Sequence, residues 1–140
     1  MANRALVLDF GTRRIGIAAA SRLAGAVTPL ATLAATEGVP DWHELAALIR
    51  EWQPEVLVVG LPRNADGSDS DMTARVRSFA GWLTTHSGLA VEEVDERFTS
   101  TEAEELLREQ RRTGTRKRRV QPADIDRMAA RLIAETWLRG

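Results

Sequence analysis

The stretch "EVLVVGLP" (residues 55–62) is apolar without a break from Val56 to Leu61. A strand with one wet face alternates polar and apolar residues. An unbroken run belongs to a strand buried on both faces, so helices must cover both sides of its sheet. That one segment places the chain in the α/β class. The surrounding sequence fills in the rest. "ALVLDF" (5–10) is rich in strand formers and is bounded by Gly11. "IGIAAAS" (15–21) follows after "GTRR", a spacing that fits a hairpin. "GAVTPLATL" (25–33) reads as a third strand, with Pro29 at an edge or a bulge.

Helical periodicity then takes over. In "PDWHELAALIREW", Trp42, Leu45, Ala46, Ile49 and Trp52 share a face, and Pro40 suits a first helical turn. "DMTARVRSFAGWL" (71–83) aligns Met72, Val76, Phe79, Ala80 and Leu83. "LAVEEVDE" (89–96) is a further strand. Thr99 and Glu102 have capping-box spacing and start a helix. "DIDRMAARLIAETWL" closes the chain as a helix with Met128, Ala129, Leu132, Ile133 and Trp137 on its apolar face. The order βββαβαβαα predicts a central mixed five-stranded sheet flanked by helices, antiparallel where it opens and parallel where strands and helices alternate. With 140 residues and neither repeat nor linker, residues 1–140 read as a single domain.

The absence of cysteine excludes disulfides and thiolate metal sites. No apolar run is long enough to span a bilayer, and the N-terminus lacks signal-peptide character, so a soluble cytoplasmic protein is expected, without a membrane partner. The net charge of −1 hides a strong asymmetry. Residues 108–119, "REQRRTGTRKRR", carry +6, and such a strip attracts phosphate whatever the total charge.

Several acids sit at the ends of predicted elements. Asp9 closes the first strand, Asp95 and Glu96 close the last, and Asp126 lies near the start of the final helix, beside Asp124. If the first and last strands have parallel neighbours, their C-terminal ends share a sheet edge, where ligand sites of open α/β sheets form. Carboxylates gathered there resist ionisation unless a cation joins them. Oxygen-only donors suit Mg²⁺ or Mn²⁺, and a pair of such ions serves phosphodiester cleavage. Each acid also has a plainer reading: Asp9 as a turn former, Asp124 or Asp126 as a helix cap, Glu96 as a surface partner of Arg97.

"LDFGTRRIGIA", "VVGLPRNADGS", "VDERFTSTEAE" and "DRMAARLIAETWL" together resemble the motifs of the YqgF family, in order and from about residue 5 to residue 138. Members are RNase H-fold proteins described as Holliday-junction-resolvase-like and as pre-16S rRNA nucleases. The resemblance implies an RNase H-like fold and a metal-dependent endonuclease. It implies Asp9, Glu96 and Asp126 as the catalytic, metal-ligating acids and Arg97 as a phosphate holder or an orienter of Glu96. The sequence departs from the family after Ser21, where members often carry an acid and this chain has Arg22.

Other candidates surround this set. Arg13 and Arg14 follow Gly11, and Arg63 and Asn64 lie in the loop after the buried strand. Arg111, Arg112, Arg116, Lys117, Arg118 and Arg119 form the basic segment. Arg13 and Arg14 are expected to attract a phosphate or to serve as polar residues of a hairpin turn, and Arg63 and Asn64 to touch a phosphate or a base. The basic segment is expected to contact phosphate rather than read bases, because no aromatic residue interleaves its arginines. His43 and His86 are expected at the surface, and the four tryptophans in packing roles.

The expected substrate is structured nucleic acid, precursor rRNA first and branched DNA second, with ribosomal particles as partners and a monomer or weak dimer as the working unit. A non-catalytic RNA-binding maturation factor is the alternative. "DFGT" also resembles the first phosphate motif of actin-like ATPases and sugar kinases, but those need two such lobes, and this length supplies one.

Overall fold

The computed structural model describes residues 2–64, 66–95 and 122–140, with side chains of the last segment from residue 128 onward. The helix expected from Thr99, together with Glu96, Arg97 and the basic segment, lies outside the described residues. Nine elements are described. They are β1 (Arg4–Asp9), β2 (Arg14–Ser21), β3 (Ala26–Thr36), β4 (Val39–Pro40), α1 (Trp42–Trp52), β5 (Val56–Leu61), α2 (Asp71–Ser87), β6 (Val91–Asp95) and α3 (Pro122–Arg139).

The strands form one sheet in the order β4-β3-β2-β1-β5-β6. β1 to β4 pair antiparallel, while β1, β5 and β6 are parallel. All five expected strands are present. The count is corrected to six by β4, whose two residues carry no periodicity that a sequence reading can detect. Pro40 accordingly ends β4 rather than opening α1, which Asp41 caps by accepting the His43 backbone N–H at 2.8 Å. Pro29 does sit at a bulge: the register with β2 shifts between Ile17 and Ala18, which pair with Ala31 and Pro29.

The alternation of β1 sorts its side chains between two cores. Leu6 and Leu8 join Ile15, Ile17, Leu57 and Val59 under α1 and α2, against Leu45, Val76, Phe79 and Leu83. Ala5 and Val7 join Ala20, Val56 and Val58 on the other face, against Ile133, Ala134 and Trp137 of α3. β5 is buried throughout, as its sequence demands. The buried stripe of α3 is Ala129, Ala130, Ile133, Ala134 and Trp137, with Met128 and Leu132 only partly covered. Its small residues let the helix lie close to the sheet.

Candidate active site

Three parallel strands stop at one edge: β1 at Asp9, β5 at Leu61 and β6 at Asp95. Asp9 has the parity of Ala5 and Val7, the α3 face. It is 9% exposed, and Asp9 and Thr73 are the buried polar residues among those described. Its neighbours across the sheet carry no side chain. Gly16 of β2 pairs with Asp9 directly, and Gly60 of β5 stands one step beyond the Leu8–Val59 pair. Glycine therefore stands at the position beside Asp9 on both adjoining strands. Glycine within a strand is one of the features that lets a ligand or another backbone approach closely. These two glycines are the signal that the sequence reading passed over.

α3 carries Asp126 near its N-terminal end. Its C-terminal end is fixed at the opposite edge of the sheet, where Arg22 donates to the carbonyls of Ala2 (2.7 Å) and Trp137 (3.1 Å) and lies 3.6 Å over the Trp137 ring. Trp137 Nε1 also donates to Glu92. From Trp137 back to Asp126 the helix rises about 16 Å, and from Asn3 to Asp9 the strand runs about 20 Å. The helix packs across β2, β3 and β1, and its length from position 126 to Trp137 is close to that of the strand. Position 126 precedes Ala130 and Ile133 by about one and two helical turns.

Asp95 does not join Asp9. It pairs with Leu61 and shares the parity of Val91, both of the α1/α2 face, and it is exposed. The α3 face of β6 belongs to even positions, Glu92 and Val94. Among the described residues no three His, Asp or Glu side chains cluster as a metal site; Asp9 is the one member of the expected triad whose side chain is described. Hard oxygen donors without sulfur or imidazole remain the chemistry on offer, since His43 and His86 are exposed on α1 and α2.

The turn from β1 to β2 borders Asp9. A Cβ on Gly11 would stand 2.3 Å from the Arg14 carbonyl oxygen, so the turn itself requires glycine there. The β3–β4 turn buttresses it: Ala35 N–H donates to the Arg13 carbonyl (2.8 Å) and Gly38 N–H to that of Thr12 (2.9 Å). Gly38 has φ +82°, and a Cβ there would stand 2.6 Å from the Phe10 ring. Arg13 and Arg14 are both exposed at this edge.

The loop after β5 reaches the same edge and is internally braced. Arg63 bridges to Asp69 through the backbone, and its Nη1 donates to the Gly67 carbonyl (3.3 Å). Asn64 donates to Ser68 Oγ (3.0 Å) and the Asp69 carbonyl (3.1 Å). At the loop's exit Thr73 donates to the Pro62 carbonyl (2.6 Å) and accepts from Ser70 N–H (2.8 Å), which anchors the start of α2. Asn64 thus has a clear structural task, and Arg63 holds the loop with one arm of its guanidinium.

Comparisons with known proteins add to this geometry. The family model described as "RuvX: Holliday junction resolvase" matches residues 3–140. A curated relative from Chromohalobacter salexigens, named "Putative pre-16S rRNA nuclease", is 44% identical over 132 residues, covering 94% of this chain and 86% of its own. A relative of the same name from Marinobacter nauticus is 44% identical over 137 residues, covering 97% and 92%. Among solved structures, the yeast mitochondrial Holliday junction resolvase Ydc2 superposes with TM-score 0.56 at 14% identity, covering 98% of this chain and 78% of its own. T. thermophilus RuvC in complex with a Holliday junction gives 0.55 at 14%, covering 98% and 95%. At such identity these two bear on the fold alone, and the RNase H-like architecture expected from the sequence is the one observed.

Proposed function

The chain belongs to the RuvX family of Holliday junction resolvases, and on that premise we propose that residues 1–140 form a single RNase H-like nuclease domain that hydrolyses phosphodiester bonds of structured nucleic acid. The observation that carries this is Asp9, nearly buried at the shared C-terminal edge of β1, β5 and β6, between strand positions held by glycine.

Glu96 and Asp126 are the partners of Asp9. In the sequence Glu96 directly follows Asp95, the last described residue of β6. Position 126 lies near the N-terminal end of α3, about one and two helical turns before the buried Ala130 and Ile133. Three carboxylates in one place repel unless cations neutralise them, and their oxygens suit Mg²⁺ or Mn²⁺, as a pair. Such ions, when bound, supply an activated water and stabilise the leaving oxygen. The chain's own part is to supply the three acids and to present Arg13, Arg14 and Arg63 to the substrate backbone. Arg97 serves the same backbone next to Glu96. The segment from Arg111 and Arg112 to Arg116, Lys117, Arg118 and Arg119 supplies salt-sensitive attraction for phosphate.

The substrate is precursor 16S rRNA, the reading favoured by the names of the curated relatives. The family description favours a second reading, a four-way DNA junction. Acting on rRNA places the protein with ribosomal particles in the cytoplasm; among the described residues no helix is long and apolar enough to cross a membrane. The test is cleavage of a structured rRNA precursor and of a four-way DNA junction in Mg²⁺, Mn²⁺ or EDTA. Cleavage of one substrate, lost in EDTA and in Asp9→Asn, is expected. Metal-independent binding without cleavage of either would replace the nuclease with a binding factor.

A further inference from the structure

On the face of the sheet away from α3 lies an open groove of about 660 Å³, between the β1–β2 turn, the β3–β4 turn and α2. Phe79, 4% exposed, forms its floor. Phe10 and Trp82, both half-buried, flank it, with ring centroids 5.1 and 6.0 Å from that of Phe79. Trp82 is held in turn by Trp42, edge-on at 5.9 Å, and by His86 at 4.3 Å. Exposed Arg75 lines the groove, as do Glu37 and Ser78.

We propose that this groove seats one unpaired nucleotide of the substrate strand, next to the bond cut at Asp9. The inference rests on the nucleic-acid reading above and deepens it. Aromatic walls offer base stacking without regard to sequence. Arg75 answers the phosphate, while Glu37 and Ser78 answer the donors and acceptors of a base edge. The volume lies in the range of small-ligand sites. Position ties the groove to the cleavage site. Phe10 directly follows Asp9, so their Cα atoms are about 3.8 Å apart, and strand alternation sends them to opposite faces. A strand crossing the end of β1 meets Asp9 on one side and the groove on the other, passing Thr12 and Arg13 on the turn between. The protein then selects junctions of paired and unpaired strand over continuous duplex.

The test compares binding of two probes by the full chain in EDTA, made both as RNA and as DNA. One is a hairpin with short single-stranded extensions that carry 2-aminopurine. The other is the same hairpin with blunt ends. The extended probe is expected to bind about tenfold more tightly, with its 2-aminopurine fluorescence quenched on binding. In Trp82→Leu that ratio falls to about one and the quenching is lost. Arg75→Ala, at an exposed position, lowers the ratio without a packing change and serves if Trp82→Leu does not fold. Equal affinity for both probes in both sugars, unquenched fluorescence in the wild type, or a folded Trp82→Leu protein with full preference would each overturn the proposal. Because binding is read without metal, a chain that discriminates between the probes yet never cleaves leaves the groove standing and removes the nuclease. A chain that cleaves without discriminating does the reverse.

Discussion

The two ends of the sheet use their polar residues differently. Where β1 begins, they tie the fold together. Arg22 clamps Ala2 and Trp137, Arg4 donates to the Gln53 carbonyl (2.9 Å) and pairs with Glu55 (3.5 Å), and Asn3 accepts from Leu23 N–H (2.6 Å). Where β1 stops, a carboxylate is nearly buried between glycine positions, and Arg13 and Arg14 are exposed beside it. Substitutions at the first end are expected to change stability; those at the second, cleavage.

The largest expected effect is on Asp9→Asn. Cleavage should fall at least about 10³-fold, about 4 kcal/mol of barrier, while the melting temperature moves by only a few degrees; assays paired with thermal melts check both. Next comes Gly38→Ala, which qualifies the contrast, since the cleavage end also has a structural frame. A methyl group at φ +82° against the Phe10 ring should destabilise by about 2–4 kcal/mol in denaturant titration. Gly60→Ala sharpens the contrast: it places a methyl beside Asp9 on the same face, so cleavage should drop about 10–100-fold with little change in denaturation midpoint. Arg22→Ala is the mirror case. It forfeits two carbonyl partners and a cation–π contact, about 1–3 kcal/mol of stability, and the folded fraction should cleave at the wild-type rate. If Gly60→Ala unfolds the chain instead, or Arg22→Ala spares stability and loses cleavage, the division between the ends is wrong.

The Arg22 contacts give a structural task to the residue at which the sequence departs from the expected family pattern. Arg22 stands where the resemblance leads one to expect an acid, and only the packed structure reveals Trp137, far along the chain, as its partner. Much else was legible in advance. The unbroken run of β5, the hairpin spacing of β1 and β2, and the helical stripes of α1, α2 and α3 are local patterns, and they suffice for the class and for the order of the longer described elements. β4 escaped because it is two residues long and is held by hydrogen bonds to β3 rather than by its own composition. Asp9 was legible as an apolar strand ending in an acid. Gly16 and Gly60 were not, because their meaning depends on register: each looks like an isolated strand glycine until pairing sets both beside Asp9. Register also separates Asp95 from Asp9, which neighbouring acids in a sequence cannot do.

The central claim is that Asp9, Glu96 and Asp126 converge on one divalent-ion site, and Mn²⁺ titration by calorimetry tests it most directly. The wild type and the single variants Asp9→Asn, Glu96→Gln and Asp126→Asn would be compared as folded proteins. The account predicts saturable binding by the wild type and at least tenfold weaker binding in each variant. Wild-type affinity retained in any one of them would remove that residue from the site, and retention in Asp9→Asn would contradict the account itself.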